Sequence, residues 1–453
     1  MMRILPVALV LTVFTSACPE GDGPGTGPGE GEGEGEGEGE TDMELLGEPV
    51  AIDVDLELAV GMALAVRGDG RAAFVFVQDG TTTTECQLFG GETVTAENVA
   101  IVVVDEQLDG TFRTRTVIEV PPVKAGGVDI AVDPVSDALI VAHMGGAPAA
   151  GVCESSDLVL SVESGDAFIS TTIAENGSDG SGPCRDGKDP LCAEGDFVGR
   201  FPALSIADGV LALAYTDNHF GFGETDIFES DLELVRGAGP GAIADILSIN
   251  TETGAGYNTG TAITSDGRVV IGHQLIGNNI QDEGVYAEVE QADGTFKERL
   301  LIENPEITSR IAVAASDQGI FIAFREDSTD QLIVMRSVDD GESFQPEIAE
   351  RLSVTGASPQ AAFMSDGTLV LAYGHCRDVD DGNPICNTAQ DGVRLSWRSA
   401  SESAFSKKTF IGDDEDLDGI AVDMAIVDDV ITTLSFNASQ SQVTLHRIQK
   451  VDR

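Results

Sequence analysis

The sequence predicts an all-β fold closed into a β-propeller, and three observations predict it. The same pair of short apolar strands recurs seven times between residues 62 and 435. The two strands of a pair are joined by a tight turn, mostly rich in Asp and Gly. Successive pairs start about 49–74 residues apart, which suits a four-stranded blade with loop insertions. Length agrees, because one compact core usually stops growing near roughly 250–300 residues and this chain has 453. With 42% hydrophobic residues the chain can bury a core. Its 78 acidic against 25 basic side chains leave a formal charge of −53. That field repels nucleic acid and anionic membrane surfaces and leaves a solvated acidic surface as the simplest reading.

The N-terminus reads as a processing signal. Met1-Met2-Arg3 is followed by the apolar run Ile4–Phe14, too short to span a bilayer as a helix. Thr15-Ser16-Ala17-Cys18 then resembles the lipobox of bacterial lipoproteins, with Thr15 in place of the usual Leu. The resemblance implies cleavage before Cys18, its lipidation, and export to the bacterial envelope, with the membrane touched only through the lipid. Residues 19–46 form a tether dominated by the Gly-Glu run Gly29–Glu40, where glycine removes backbone restriction and like charges repel. The expected domains are therefore 1–18 signal and lipobox, 19–46 tether, and 47–453 propeller.

The strand pairs follow in order. They are Met62–Val66 with Ala72–Val77, Val128–Val132 with Ala138–His143, Pro202–Ile206 with Val210–Tyr215, and Thr261–Thr264 with Val269–His273. Ile311–Ala315 with Ile320–Phe324, Gln360–Met364 with Leu369–Tyr373, and Asp423–Val427 with Val430–Ser435 complete them. Turns such as Asp208-Gly209, Asp266-Gly267 and Asp366-Gly367 between apolar runs are hairpin signals. The last unit has one further strand, Gln442–Ile448, before the chain ends. A spare strand, Pro49–Leu56, precedes the first unit and can complete the last blade, closing the ring without an open edge. Seven blades is the expectation; six is the alternative.

A second hairpin follows most pairs. Ser337-Val338-Asp339-Asp340-Gly341-Glu342-Ser343-Phe344 matches the Asp-box pattern, and Ser161–Phe168 matches it with Glu163 for Asp and Ala167 for Ser. Asp109–Phe112, Asp293–Phe296 and Ser399–Phe405 look like shortened versions. On these residues the chain resembles the Asp-box (BNR) propellers of the sialidase-like superfamily, over about residues 48–450. The resemblance implies a turn between the third and fourth strands of a blade that serves folding, with its aromatic residue packed into the blade.

Loop length separates the two faces of such a ring. The turns within strand pairs are short. The loops Gln78–Asn98, Met144–Asp157, Glu175–Arg200, Arg236–Gly260, Gly374–Gly392 and Gly412–Ala421 are long and variable and belong to the opposite face, where binding usually lives. Six cysteines fall there. Cys184–Cys192 and Cys376–Cys386 are natural local disulfides, leaving Cys86–Cys153 by elimination. The second strands end in a recurring ring position, Phe76, His143, Tyr215, His273, Phe324 and Tyr373, where a packing role is expected.

Arg200, Arg310, Arg325 and Arg377 sit at blade entrances or loops of the long-loop face, with His219 and His375, and these six are the candidate ligand-binding residues. Arginine suits a carboxylate because its planar fork pairs it in two places. A sialidase-like site would need an arginine triad, a Tyr nucleophile with a Glu base, and an Asp acid. The family's Arg-Ile-Pro motif is absent; Arg200-Phe201-Pro202 echoes it faintly. No catalytic residue is assigned. Asp414, Asp416, Asp418 and Gly419 have the spacing of a calcium loop, with Asp423 standing in for the missing acidic residue near the end of the loop. The preferred function is a non-catalytic propeller that binds a glycan, peptide or protein. An Asp-box glycoside hydrolase and a purely structural envelope protein are the alternatives.

Overall fold

The computed structural model describes residues 41–54, 61–87, 92–121, 127–145, 156–175, 197–207, 209–218, 230–251, 254–276, 283–303, 305, 307, 310–326, 328–329, 331–351, 355–375, 392–402, 404–405, 407–411, 422–437 and 441–452. These residues form a seven-bladed β-propeller of antiparallel sheets. Blade 1 holds β3 (Ala63–Val66), β4 (Ala72–Gln87), β5 (Thr93–Glu106) and β6 (Phe112–Val120). Blade 2 holds β7 (Val128–Val132), β8 (Leu139–Met144), β9 (Leu158–Ser164) and β10 (Ala167–Ala174). Blade 3 holds β11 (Phe197–Ala207), β12 (Val210–Asn218), β13 (Ser230–Gly237) and β14 (Ile243–Asn250). Blade 4 holds β15 (Tyr257–Ile263), β16 (Val269–Leu275), β17 (Gly284–Glu290) and β18 (Phe296–Glu303). Blade 5 holds β19 (Ala312–Ser316), β20 (Gly319–Glu326), β21 (Gln331–Ser337) and β22 (Gln345–Arg351). Blade 6 holds β23 (Thr355–Phe363), β24 (Leu369–His375), β25 (Gly392–Arg398) and β26 (Lys407–Ile411). Blade 7 holds β27 (Val422–Val427), β28 (Val430–Asn437) and β29 (Gln442–Asp452).

Every expected strand pair is the first and second strand of one blade. The first strands line the axis: β3 touches β7, β7 touches β11, and so on until β27 touches β3. The second strands read as continuous apolar runs because sheets pack against both of their faces; β8 and β24 are buried at every residue. Outer strands such as β18 instead alternate between half-buried and exposed positions. The ring position is filled as expected: Phe76, His143, Tyr215, His273, Phe324 and Tyr373 are all at most 2% exposed. His143 bonds the Met144 carbonyl through Nδ1 and the Ser161 hydroxyl through Nε2, and burial pushes it down to about 4.

Closure uses the N-terminus. β2 (Val50–Asp53) pairs with Leu445–Gln442 of β29, inside the expected Pro49–Leu56. β1 (Thr41–Leu45) also pairs with β29, so the last six residues assigned to the tether begin with a strand, and Met43 is buried. Across the seam, Leu434, Phe436, Val443 and Leu445 of blade 7 pack on Leu64, Phe74, Phe76 and Val102 of blade 1.

Three readings of the sequence change. Gln78–Asn98 is largely an extension of the β4–β5 hairpin, with an irregular register between Asp79 and Thr83, because its Thr-rich arms favour strand. Arg236–Gly260 contains β14, whose weak apolar pattern hid it, and the long connection of blade 3 runs from 219 to 229 instead. Ser161–Phe168 does not form an Asp-box loop. There β9 and β10 are joined by the two-residue turn Gly165-Asp166, and Glu163 reaches Arg67 of blade 1 at 2.8 Å.

The turn after β21 does close on itself. Asp339 Oδ1 accepts from the Ser343 amide at 2.9 Å, and Oδ2 accepts from the Ser343 hydroxyl at 2.6 Å. The Ser337 hydroxyl donates to Asp339 Oδ1 at 2.7 Å and accepts from the Gly341 amide at 2.9 Å. These donors hold the Asp339 carboxyl down at about 2. Asp340 and Gly341 are both left-handed, at φ 57° and 80°, and Phe344 packs on the core between blades 4 and 5. Asp109 with Thr111 and Asp293 with Thr295 repeat the aspartate-to-hydroxyl contact, at 2.6 and 2.7 Å. Asp339, Asp109 and Asp293 are therefore spent on turn geometry.

Candidate functional site

The site begins with a register. One residue of each first strand sits opposite the small or aliphatic residue that precedes the ring position: Ala63, Asp129, Ala203, Gly260, Ala312, Gln360 and Asp423. Most are small because the strands converge on the axis. A Cβ at Gly260 would stand 2.0 Å from the Ile311 carbonyl oxygen of the next blade, so only glycine fits. Three positions are polar, in blades 2, 6 and 7. Two residues before the register position the backbone is left-handed at Gly61, Gly127, Phe201, Asn258 and Ser358; for Phe201, φ 48° is a strained choice that a side chain rarely adopts.

Asp129 and Asp423 are built alike, in Val128-Asp129-Ile130-Ala131 and Val422-Asp423-Met424-Ala425. Asp129 accepts from its neighbour Ile130 N at 2.9 Å and from Leu204 N of blade 3 at 2.7 Å. Asp423 accepts from Met424 N at 2.7 Å and from Leu64 N of blade 1 at 2.6 Å. Each carboxylate thus ties its own blade to the next. Arg310, just ahead of β19, crosses the channel and donates from Nη2 to Asp129 Oδ2 at 2.6 Å, while its Nε donates to the Thr259 carbonyl at 3.3 Å. Burial pushes the Arg310 guanidinium down, and Asp129, with Asp423 behind it, outweighs that and holds it above its ordinary value. Asp423 is pushed up to about 7, first by burial; Arg310 pulls it down and Asp129 pushes it up. All three line a cavity of about 320 Å³ on the axis, with Leu64, Ile130, Val313, Gln360 and Met424 among its walls.

A second group extends from this one at the channel mouth. The Thr259 hydroxyl donates to the Phe201 carbonyl. Arg200 donates to Asn218 Oδ1 at 2.9 Å, with its guanidinium 5.2 Å from the Phe201 ring centre and 5.8 Å from that of Tyr257. Asn218 in turn donates to the Tyr257 hydroxyl at 3.2 Å. Burial lowers Arg200, and Tyr257 opposes that. Thus Arg200 and Arg310 share one network through Thr259 and Phe201. Arg325 and His375 close β20 and β24 on the same face, each held by partners of its own.

His219, Arg377, Asp414, Asp416 and Asp418 lie outside the described residues, as do Cys18, Cys153, Cys184, Cys192, Cys376 and Cys386. Cys86 is disulfide-bonded and buried. Asp423, which the sequence places with the calcium loop, lines the channel, and both its oxygens accept from backbone amides, so it ties blade 7 to blade 1. Among the described residues no group of three or more His, Cys, Asp or Glu is placed to hold a metal. Asp129, Asn218, Tyr257, Thr259 and Gln360 are site residues that sequence reading missed. The signal for Asp129 was present in the repeated Val-Asp-x-Ala, a carboxylate inside an otherwise apolar inner strand.

No protein-family model matches the chain, and no curated protein matches it. Solved structures resemble it to different degrees. A protein of unknown function from Dyadobacter fermentans is 13% identical, with 90% of this chain and 99% of that one covered and a TM-score of 0.50. A Trypanosoma rangeli sialidase mutant displaying trans-sialidase activity is 12% identical over 85% of this chain, with a TM-score of 0.46; the chain spans 59% of its length. A glycosyl hydrolase from Bacteroides ovatus is 11% identical over 54% of this chain and 82% of that one, with a TM-score of 0.31. At 13% identity the likeness to the Dyadobacter fermentans protein is one of fold alone.

Proposed function

We propose that this chain is an exported envelope lipoprotein, anchored through Cys18, whose propeller binds a glycan, peptide or protein on its long-loop face without catalysis. One observation supports the reading above the others. The arginines that a carboxylate-clamping hydrolase would leave open are already engaged: Arg310 by Asp129 across the channel, Arg200 by Asn218 and two aromatic rings. Charges braced in this way stiffen a platform. The glycoside hydrolase reading keeps one point in its favour, Tyr257 beside Arg200 at the channel mouth. The test is to screen the purified chain on glycan and peptide arrays, and in parallel against fluorogenic glycosides, sialosides included. The expected result is a retained array ligand that Arg200→Ala weakens, with no turnover. Turnover that Tyr257→Phe abolishes would overturn the proposal.

A further inference from the structure

The cavity wall carries two carboxylates, Asp129 and Asp423, against one guanidinium, Arg310. Asp129 and Arg310 satisfy each other. Asp423 is 7% exposed, and among the described residues no Lys, Arg or His lies within ion-pair distance of it. The amides of Leu64 and Met424 orient its carboxylate but bring no unit charge. Ionised, the three groups carry one negative charge in excess. On the neighbouring blade Gln360 occupies the same register and lines the same cavity, and its amide carries a second acceptor oxygen.

We propose that the channel binds one alkylammonium group, seated between the Asp423 carboxylate and the Gln360 amide. This rests on the binding reading above, since a hydrolase would need the channel mouth for its own substrate. An ammonium answers the excess charge and donates to both oxygens. A bare metal ion is a poor fit, because about 320 Å³ is many times the roughly 30 Å³ that one water occupies in the liquid. An aliphatic stem fills that space, and Leu64, Ile130, Val313 and Met424 give it apolar wall. The −53 charge of the whole chain concentrates cations at the mouth. The ammonium can belong to a free small amine or to a lysine side chain of a basic polypeptide.

Calorimetric titration of the purified full chain at pH 8 and low salt tests this, with n-butylamine, a short lysine peptide, butyrate and potassium chloride as probes. Saturable one-to-one binding of the amines is expected, with none for butyrate or potassium. Asp423→Asn should weaken it at least tenfold, with circular dichroism checking the variant's fold. A second arm needs no variant. At pH 5, about two units below the Asp423 value of about 7, only about 1% of that carboxyl is ionised, so wild-type affinity should fall roughly a hundredfold. Asp129 and Arg310 are the other charged groups in the cavity wall, and Arg310 stays charged throughout. Absence of saturable amine binding, equal affinity in Asp423→Asn, or equal affinity at pH 5 and 8 would each overturn the proposal. Tighter binding of butylamine than of the peptide points to a free amine, and the reverse to a polypeptide. Failure here with an array ligand still retained strikes this inference alone and leaves the binding reading standing.

Discussion

Ionised Asp423 should work against the fold, and the size of that effect follows from its surroundings. In the unfolded chain its carboxyl titrates near 3.8; in the ring it titrates at about 7, chiefly because burial disfavours the charge. Between those values the folded state holds the extra proton, so this group's contribution to stability falls as pH rises from about 4 to 7 and is fully lost above that. Three pH units correspond to about 4 kcal/mol, of which about 3 lies between pH 5 and 8. His143 acts in the opposite sense. Its value is pushed down from 6.5 to about 4, so the unfolded state takes the proton and stability rises with pH across that window. Wild-type stability alone therefore shows little of either. The assay is denaturant unfolding of wild type and Asp423→Asn at pH 5, 6, 7 and 8. The substitution brings a pH-independent penalty, because its amide nitrogen cannot accept from one of the two backbone donors. On top of that, the variant should gain about 3 kcal/mol relative to wild type between pH 5 and 8. Parallel curves would refute the reasoning and mean that Asp423 is solvated or paired at neutral pH.

Four other outcomes are expected. Deleting residues 41–54 should lower stability by roughly 3–6 kcal/mol, since Met43 and Ile52 lose their burial and β29 becomes an open edge; an unchanged unfolding midpoint would refute the closure. Asp339→Ala should lower the melting temperature without affecting ligand binding, because the carboxylate serves only its own turn; a variant that melts like wild type would count against the motif as a folding device. Labelled palmitate should enter the wild type and not Cys18→Ala, and equal labelling would remove the anchor. Calcium should raise the melting temperature, by about 2.7 kcal/mol of stability at a hundredfold excess over Kd, and Asp416→Ala should abolish most of the rise; equal responses would reduce the effect to charge screening.

The fold was more legible in the sequence than the site, for a physical reason. Second strands are buried on both faces and must read as apolar runs, so pairs such as Leu369–Tyr373 stand out in any composition. Asp-Gly turns mark where they reverse. Outer strands carry no such constraint, and β14, with its half-exposed Ile-Ala-Asp-Ile pattern, passed for loop. The arginines were found by type and place, yet their partners were not. Asp129 meets Arg310 across 181 residues, and no local pattern announces that two blades on opposite sides of an axis face each other. Tyr257 was passed over because its neighbours matched no nucleophile context. Charge pairing is a property of the closed ring.

The double use of β29 also governs how the chain comes to be made. β1 and β2 leave the ribosome about four hundred residues ahead of their partner strand, which begins at Gln442. Through nearly the whole of synthesis they lack that partner, and contacts spanning almost the full sequence are the slowest to form. Once the ring shuts, Thr41 lies against Asp452, so the two ends of the folded chain emerge side by side from one blade. A tag fused to the C-terminus would ride next to Thr41 and β1. A circular permutant joining the two ends and reopened at another blade boundary would keep every strand pair while moving the last step of closure elsewhere.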